Sequence, residues 1–266
     1  MIFQAITFSD LDTVKNLQPP DWPDIIPYIK LYIESPNCWP IKVISGNELL
    51  GIGAAIFNED TAWLAHIIVN EKYRKQGIGS AIVAELMHSV VLKNIPTQLL
   101  IATAIGQPVY EKAGFLKVTD YLFFKREKPW IEKNSVFEIK NYLIKYKQQI
   151  LELDKYVTTE NRRWLLEMHL NSAKLIIVDN QLWAYYLPTL GEGPIISQTE
   201  EAGLDLMRLK YEGIDKAVLP LENTTGIIFL LENGFVQVSK GARMIFGKEI
   251  QWKPEMIYSR IGGNFG

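Results

Sequence analysis

The chain has 266 residues, 48 % hydrophobic and 22 % charged, with a net charge of −2; this supports two domains with buried cores and excludes global disorder. The near-neutral charge leaves no electrostatic footprint for nucleic acid, and no apolar run approaches the ~20 residues that cross a bilayer. One cysteine, Cys38, and three scattered histidines, His66, His88 and His169, exclude an internal disulfide and a cysteine zinc site and offer no metal cluster.

The expected setting is therefore the reducing cytoplasm, with no metal, no nucleic acid and no membrane partner. Met1-Ile2-Phe3-Gln4 does not open a basic segment of the secretory kind.

In chain order, residues 10–16 and 22–35 carry helical patterns interrupted by Pro19, Pro20, Pro23 and Pro27. Ile41-Lys42-Val43-Ile44 reads as a strand, Ser45-Gly46-Asn47-Glu48 as a turn, and 49–57 as a second strand. After the turn Asn58-Glu59-Asp60, residues 61–69 form a third strand. A polar loop, 70–79, leads into a helix in which Ile82, Val83, Leu86, Met87, Val90 and Val91 recur as one apolar stripe. Beyond Pro96 come a strand at 98–102, a short helix at 107–112 stopped by Gly114, and a strand at 115–124. The charged, Pro129-containing stretch 126–135 marks a boundary between domains at 1–128 and 136–266.

The second half runs through a similar order. Helices are predicted at 140–151 and 159–170, and Lys140 to Lys147 then read as the wet face of the first. Strands at 173–178 and 181–187 flank the turn Asp179-Asn180. A strand at Ile195-Ile196, a helix at 199–211, a strand at 216–219 and a helix ending at Gly234 follow. Thr103-x-x-Gly106 with Gly114-Phe115 has the spacing of Asn223-x-x-Gly226 with Gly234-Phe235, which points to a duplicated fold.

The most informative stretch is Ile67-Ile68-Val69-Asn70-Glu71-Lys72-Tyr73-Arg74-Lys75-Gln76-Gly77-Ile78-Gly79-Ser80. A buried strand feeds a loop with two close glycines, and the loop opens a helix. The first N–H groups of a helix have no internal partner and sit at the positive end of its dipole, so they suit a phosphate. Gly77 and Gly79 clear the backbone for close approach, and Lys72, Arg74 and Lys75 add positive charge. A plain tight strand–turn–helix connection explains the glycines alone equally well. No G-x-x-x-x-G-K-[ST] is present, and Gly51-Ile52-Gly53 lies inside a strand with no helix after it, so P-loop and dinucleotide readings fail.

Arg74-x-x-Gly77-x-Gly79 after Ile67-Ile68-Val69 resembles the acetyl-CoA loop of the GNAT N-acetyltransferase superfamily, and Tyr110-Glu111-Lys112-Ala113-Gly114-Phe115 resembles its Y-E-K-x-G-F signature. The stretch 99–115 also resembles two-domain members whose second domain is a diverged copy of the first. The resemblance implies an α/β (α+β) fold of tandem GNAT-like domains, each a mixed, mostly antiparallel sheet flanked by helices. It implies acetyl-CoA as co-substrate, with pantetheine along Ile67, Ile68 and Val69. Arg74, Lys75, Gln76, Gly77, Ile78, Gly79 and Ser80 would cradle the pyrophosphate, and Tyr110 would protonate the departing thiolate. Thr103 stands where the family usually has Asn, so its contact to the cofactor would be a shorter one or run through water.

The acceptor would be a small-molecule or peptide amine, and the protein a monomer or homodimer. A base must take the amine proton. His66 is one candidate and a packed, hydrogen-bonded core histidine the other reading; Glu34, Glu59, Asp60 or water are alternatives. Trp22, Trp39 and Trp63 line either the acceptor site or the core, and Cys38 reads as a buried structural residue.

In the second half Leu230 stands at the position of Tyr110, and no glycine loop precedes the helix at 199–211. Ser197 and Glu200 form a capping-box pattern there, and Glu200 and Glu201 would repel a pyrophosphate. That half is expected to bind no CoA and to shape the acceptor site or support the first domain. Two functions stay open: an acetyltransferase, or a CoA-sensing protein without turnover.

Overall fold

A computed structural model of the chain describes residues 1–20, 22–130 and 135–266. They form two compact units: Met1–Lys117 with Met244–Glu249 and Gly263–Phe265, and Val118–Arg243 with Ile250–Gly262 and Gly266. This division differs from a simple cut at 126–135, because the chain doubles back and two late segments rejoin the first unit. Part of that expected boundary, 131–134, lies outside the described residues.

The first unit opens with β1 (Ile2–Ala5), followed by a 3-10 turn, α1 (Leu11–Lys15) and α2 (Ile26–Glu34). The helix expected from residue 22 starts only at Ile26, because Pro27 suits a first helical turn and Pro23 does not suit an interior. β2 (Cys38–Ser45), β3 (Glu48–Phe57) and β4 (Thr61–Val69) make an antiparallel meander onto which β1 pairs. β3 is buried along nearly its whole length, which accounts for its almost unbroken apolar sequence. α3 (Ile78–Leu92) crosses back to β5 (Thr97–Ala102), which runs parallel to β4. α4 (Gln107–Lys112) and the start of β6 (Leu116–Arg126) follow.

The α3 stripe is shorter than its pattern. Ile78, Ile82, Val83, Leu86 and Val90 are buried, but Val91 is exposed. Gly51 and Gly53 explain how close α3 sits to the sheet. A Cβ on Gly53 would lie 2.7 Å from Ile82 Cγ2, and one on Gly51 2.8 Å from the Ile68 carbonyl oxygen.

In the second unit, β7 (Ile139–Asn141) pairs with β8 (Lys174–Val178), and α5 (Lys147–Thr158) and α6 (Arg163–Leu166) lie between them in sequence. The helix predicted from residue 140 is therefore corrected. Lys140 sits in an edge strand opposite Leu175, and only Lys147 begins the helix. β8 and β9 (Gln181–Tyr186) form a hairpin whose Asp179 and Asn180 both have positive φ, as a two-residue turn of the I′ type requires. β10 (Ile195–Ser197), α7 (Glu200–Tyr211), β11 (Lys216–Pro220), α8 (Thr224–Glu232), β12 (Phe235–Gly247) and β13 (Ile257–Ser259) complete the order.

The five-stranded sheet of this unit is ordered β13-β10-β9-β8-β7. Leu206, Met207, Tyr211, Leu219, Leu230 and Phe235 are among its core side chains. Both units thus hold mixed α/β structure with mostly antiparallel strands, as expected.

The proposed repeat recurs as local geometry. Thr103 Oγ1 accepts from the N–H of Gly106 at 3.2 Å, and Asn223 Oδ1 accepts from that of Gly226 at 2.7 Å. Gly114 (φ 95°) and Gly234 (φ 82°) both turn left-handed just after the helix that follows.

Candidate active site

The site is built on the end of β4. β4 pairs with β5 only over Thr61↔Thr97, Ala62↔Gln98 and Trp63↔Leu99, so from Leu64 onward its outer edge leaves that ladder. On the other side β4 pairs with β3 through a bulge: Ala54 faces Ala65 and Ile52 faces Ile68, so His66 and Ile67 stand opposite Gly53 alone. His66 takes the extra turn with φ 47°. The N–H of Asn70 donates to the Leu50 carbonyl of β3 at 2.9 Å, so by strand alternation the polar groups of Val69 face the outer edge. Ile68 is a support: it pairs with Ile52 and its side chain is in the core.

Asn70 also caps the 3-10 turn Glu71–Tyr73 through its side chain and holds the Leu49 carbonyl at 3.1 Å. Tyr73 donates to Glu48. This anchored turn delivers Lys75 (φ 63°) and Gly77 (φ 83°), two left-handed residues that fold the loop onto the start of α3.

No side chain caps α3, and Gly77 is its N-cap. The first N–H groups of this helix are left to solvent or a ligand. A Cβ on Gly79 would meet only Val69 Cγ2, at 3.5 Å, an ordinary contact. The fold itself therefore does not demand glycine there. Ile78 is buried and anchors the turn, while Lys75, Gln76, Gly77 and Ser80 are exposed.

Arg74 is more tied down than a free phosphate ligand. Its Nε donates to the Val69 carbonyl at 3.3 Å and its guanidinium pairs with Glu71 at 3.1 Å. Thr103 already spends an oxygen lone pair on Gly106.

Tyr110 lies on α4 with its ring edge-on to Phe115, centroids 6.1 Å apart. Burial pushes its hydroxyl up to about 12, so it stays protonated at working pH.

His66 Nδ1 lies 2.9 Å from the Tyr32 hydroxyl, and Asn264 Nδ2 donates to that same oxygen at 2.7 Å. The rings of Tyr28 and Tyr32 each stand 5.6 Å from the imidazole, and Trp22 stands 6.2 Å away. Burial holds the imidazole down to about 4, so it is neutral at pH 7. Tyr28, Tyr32 and Asn264 carry no local motif, and only the fold brings them to His66.

Among the three tryptophans, Trp63 is fully buried, Trp22 adjoins His66 and Trp39 is partly exposed on β2. Glu34 is exposed at the last residue of α2. Glu59 and Asp60 sit in the turn before β4, roughly 20 Å along the strand from His66. Cys38 is buried, and desolvation pushes its thiol up to about 12, so it is a neutral core side chain. Among the described residues, no cluster of three or more His, Cys, Asp or Glu could hold a metal ion, and no helix is long and apolar enough to cross a membrane.

The equivalent helix of the second unit, α7, is closed off by its own side chains. Thr199, not Ser197, is its N-cap and accepts from the N–H of Ala202. Ser197 instead hydrogen-bonds the Thr199 backbone. Glu200 and Glu201 fill its first turn, and Tyr258 packs onto Gly203, where a Cβ would come within 2.5 Å of the ring. Leu230, opposite number of Tyr110, is a core residue.

Residues 8–115 match the acetyltransferase (GNAT) family model. This stretch is a GNAT domain.

No curated protein matches the sequence. Among solved structures, a Pyrococcus horikoshii protein provisionally named as an acetyltransferase is similar over 100 % of this chain and 95 % of its own, with a TM-score of 0.84 and 19 % identity. A GCN5-related N-acetyltransferase from Sphaerobacter thermophilus is similar over 92 % of this chain and 95 % of its own, with a TM-score of 0.64 and 12 % identity. One from Anabaena variabilis covers 92 % of this chain and 72 % of its own, at a TM-score of 0.58 and 12 % identity. These likenesses establish the fold, second unit included.

Proposed function

We propose that the GNAT domain binds acetyl-CoA and passes the acetyl group to a primary amine by direct attack in a ternary complex. The observation that carries this reading is the uncapped start of α3, where glycine at 79 leaves open space that the fold does not use. Amides of residues 75–80 suit the diphosphate, and the outer edge of β4 at Ile67 and Val69, unpaired with β5, suits an extended pantetheine arm that shares the Val69 carbonyl with Arg74 or displaces it.

Positioning of the two reactants supplies most of the acceleration. Tyr110 aids departure of the thiolate. Its proton is held near 12, against ~8.5 for a free thiol, so the hydroxyl acts first as a hydrogen-bond donor to sulfur; full proton transfer is uphill and the proton is completed from solvent. The same residue favours turnover over mere sensing. The second unit, with a capped α7 and leucine at 230, supports the first or shapes the acceptor side and binds no CoA.

Calorimetry with CoA and a thiol-release screen over small-molecule and peptide amines test the proposal. One CoA per chain and release with at least one amine are expected. Two bound CoA molecules would overturn the role given to the second unit; binding without release from any amine would leave a sensor.

A further inference from the structure

We propose that Asn264 and Tyr32 are positioning residues that hold His66 as its Nε2–H tautomer, so that His66 serves acetyl transfer as a hydrogen-bond donor and not as the base. The donor role rests on the proposed acetyltransferase activity; the tautomer does not.

The chain of hydrogen bonds sets direction. All three residues belong to the first unit, although 232 positions separate Tyr32 from Asn264. An amide NH2 can only donate, so Asn264 Nδ2 occupies a lone pair on the Tyr32 oxygen at 2.7 Å. Tyr32 has one proton to place, is 1 % exposed, and lies 2.9 Å from His66 Nδ1. The proton therefore points at Nδ1, which accepts it. A neutral imidazole that accepts at Nδ1 carries its hydrogen on Nε2.

The opposite tautomer would aim Nδ1–H at an oxygen already accepting from Asn264 and leave the buried Tyr32 proton without an acceptor, disfavouring it by roughly tenfold or more. The neutral state is consistent with the ring's burial among Trp22, Tyr28 and Tyr32. Phe265, next to Asn264, closes the cluster against Tyr28 and Tyr32 at 6.4 and 6.1 Å. The bulge at φ 47° puts His66 immediately before Ile67 in the strand whose outer edge is assigned to the cofactor arm. A general base there needs a bare Nε2, and this arrangement protonates it.

The test is a long-range proton–nitrogen correlation spectrum of the full chain labelled with 15N-histidine, with His66 identified by the signals missing in His66→Gln. At pH 8 the expected pattern is a protonated Nε2 and an unprotonated Nδ1. Asn264→Asp replaces a donor by an acceptor, so Tyr32 should turn toward the carboxylate and the two nitrogens should exchange character. Tyr32→Phe should leave a mixture of tautomers.

A wild-type spectrum with Nδ1 protonated overturns the proposal, and so does an Asn264→Asp spectrum identical to the parent's. These readouts need no turnover. With a working amine, His66→Gln, which can donate from the Nε2 position, should retain at least tenfold more kcat than His66→Ala; equal losses overturn the donor role. Absence of turnover with every amine would defeat that role together with the acetyltransferase reading, while the spectrum would still decide the tautomer.

Discussion

Gly79→Ala separates what the fold needs from what the ligand needs. Gly79 is the second residue of α3, and an alanine Cβ there would touch only Val69 Cγ2 at 3.5 Å. Glycine in a helix costs about 0.5–1 kcal/mol relative to alanine. The apo variant should therefore be more stable than the parent by up to that amount, a rise in Tm of about 1–4 °C for a protein of this size. CoA binding should move the other way. If the methyl group displaces a phosphate from even one amide, a charge-assisted hydrogen bond worth about 1.5–3 kcal/mol is lost, which is roughly a 10- to 150-fold rise in Kd. Thermal melts of the apo protein and calorimetric titration with CoA read the two effects separately. A variant that melts higher and binds CoA like the parent would refute the phosphate assignment, and one that melts lower would refute the claim that the space is open.

Tyr110→Phe should lower kcat about 10- to 100-fold while changing the CoA Kd less than about twofold, and the parent should show no loss of activity from Tyr110 ionisation below about pH 11, because burial holds that hydroxyl near 12. His66 should make the protein acid-sensitive. The unfolded chain takes up a proton near 6.5 and the folded chain only near 4, so the stability this histidine contributes is complete above 6.5 and falls as pH drops to 4, by about 3 kcal/mol in all. Urea unfolding at pH 7 and 4.5 should show that slope in the parent and its reduction in His66→Gln. Gly51→Ala should cost about 1–3 kcal/mol in urea unfolding, since its Cβ would press on the Ile68 carbonyl at 2.8 Å and on Ile82 Cδ1 at 2.9 Å. Asp154→Ala should cost about 3–5 kcal/mol by removing the carboxylate that the buried Arg162 guanidinium binds at 2.6 and 3.1 Å and to which the Tyr185 hydroxyl donates; an unchanged midpoint would show that the pair is not buried as described.

Local signals served where local forces decide. Strand 61–69 and helix 107–112 are legible to the residue, because period, turn residues and Gly114 bound them on both sides. The left-handed Gly77 and the pair Asp179-Asn180 follow from which residues tolerate positive φ. Lys140 carries no strand signal of its own, because a short edge strand has too few residues to show its period, and pairing with β8 decides its state. The N-cap at Thr199 instead of Ser197 is a shift of two residues between neighbours equally able to cap.

By itself the sequence determined the element types from β2 to α4, the glycine loop and the Tyr110 signature, since each depends on residues a few positions apart, whereas β1 is a strand only through its pairing with β2. Tertiary structure alone decided why Gly51 and Gly53 are glycines, that β4 leaves β5 after Trp63, and that Asn264 reaches Tyr32 and, through it, His66. Those depend on groups that meet only when distant segments pack, and the proton of an imidazole follows the partner it meets, not its neighbours in the chain.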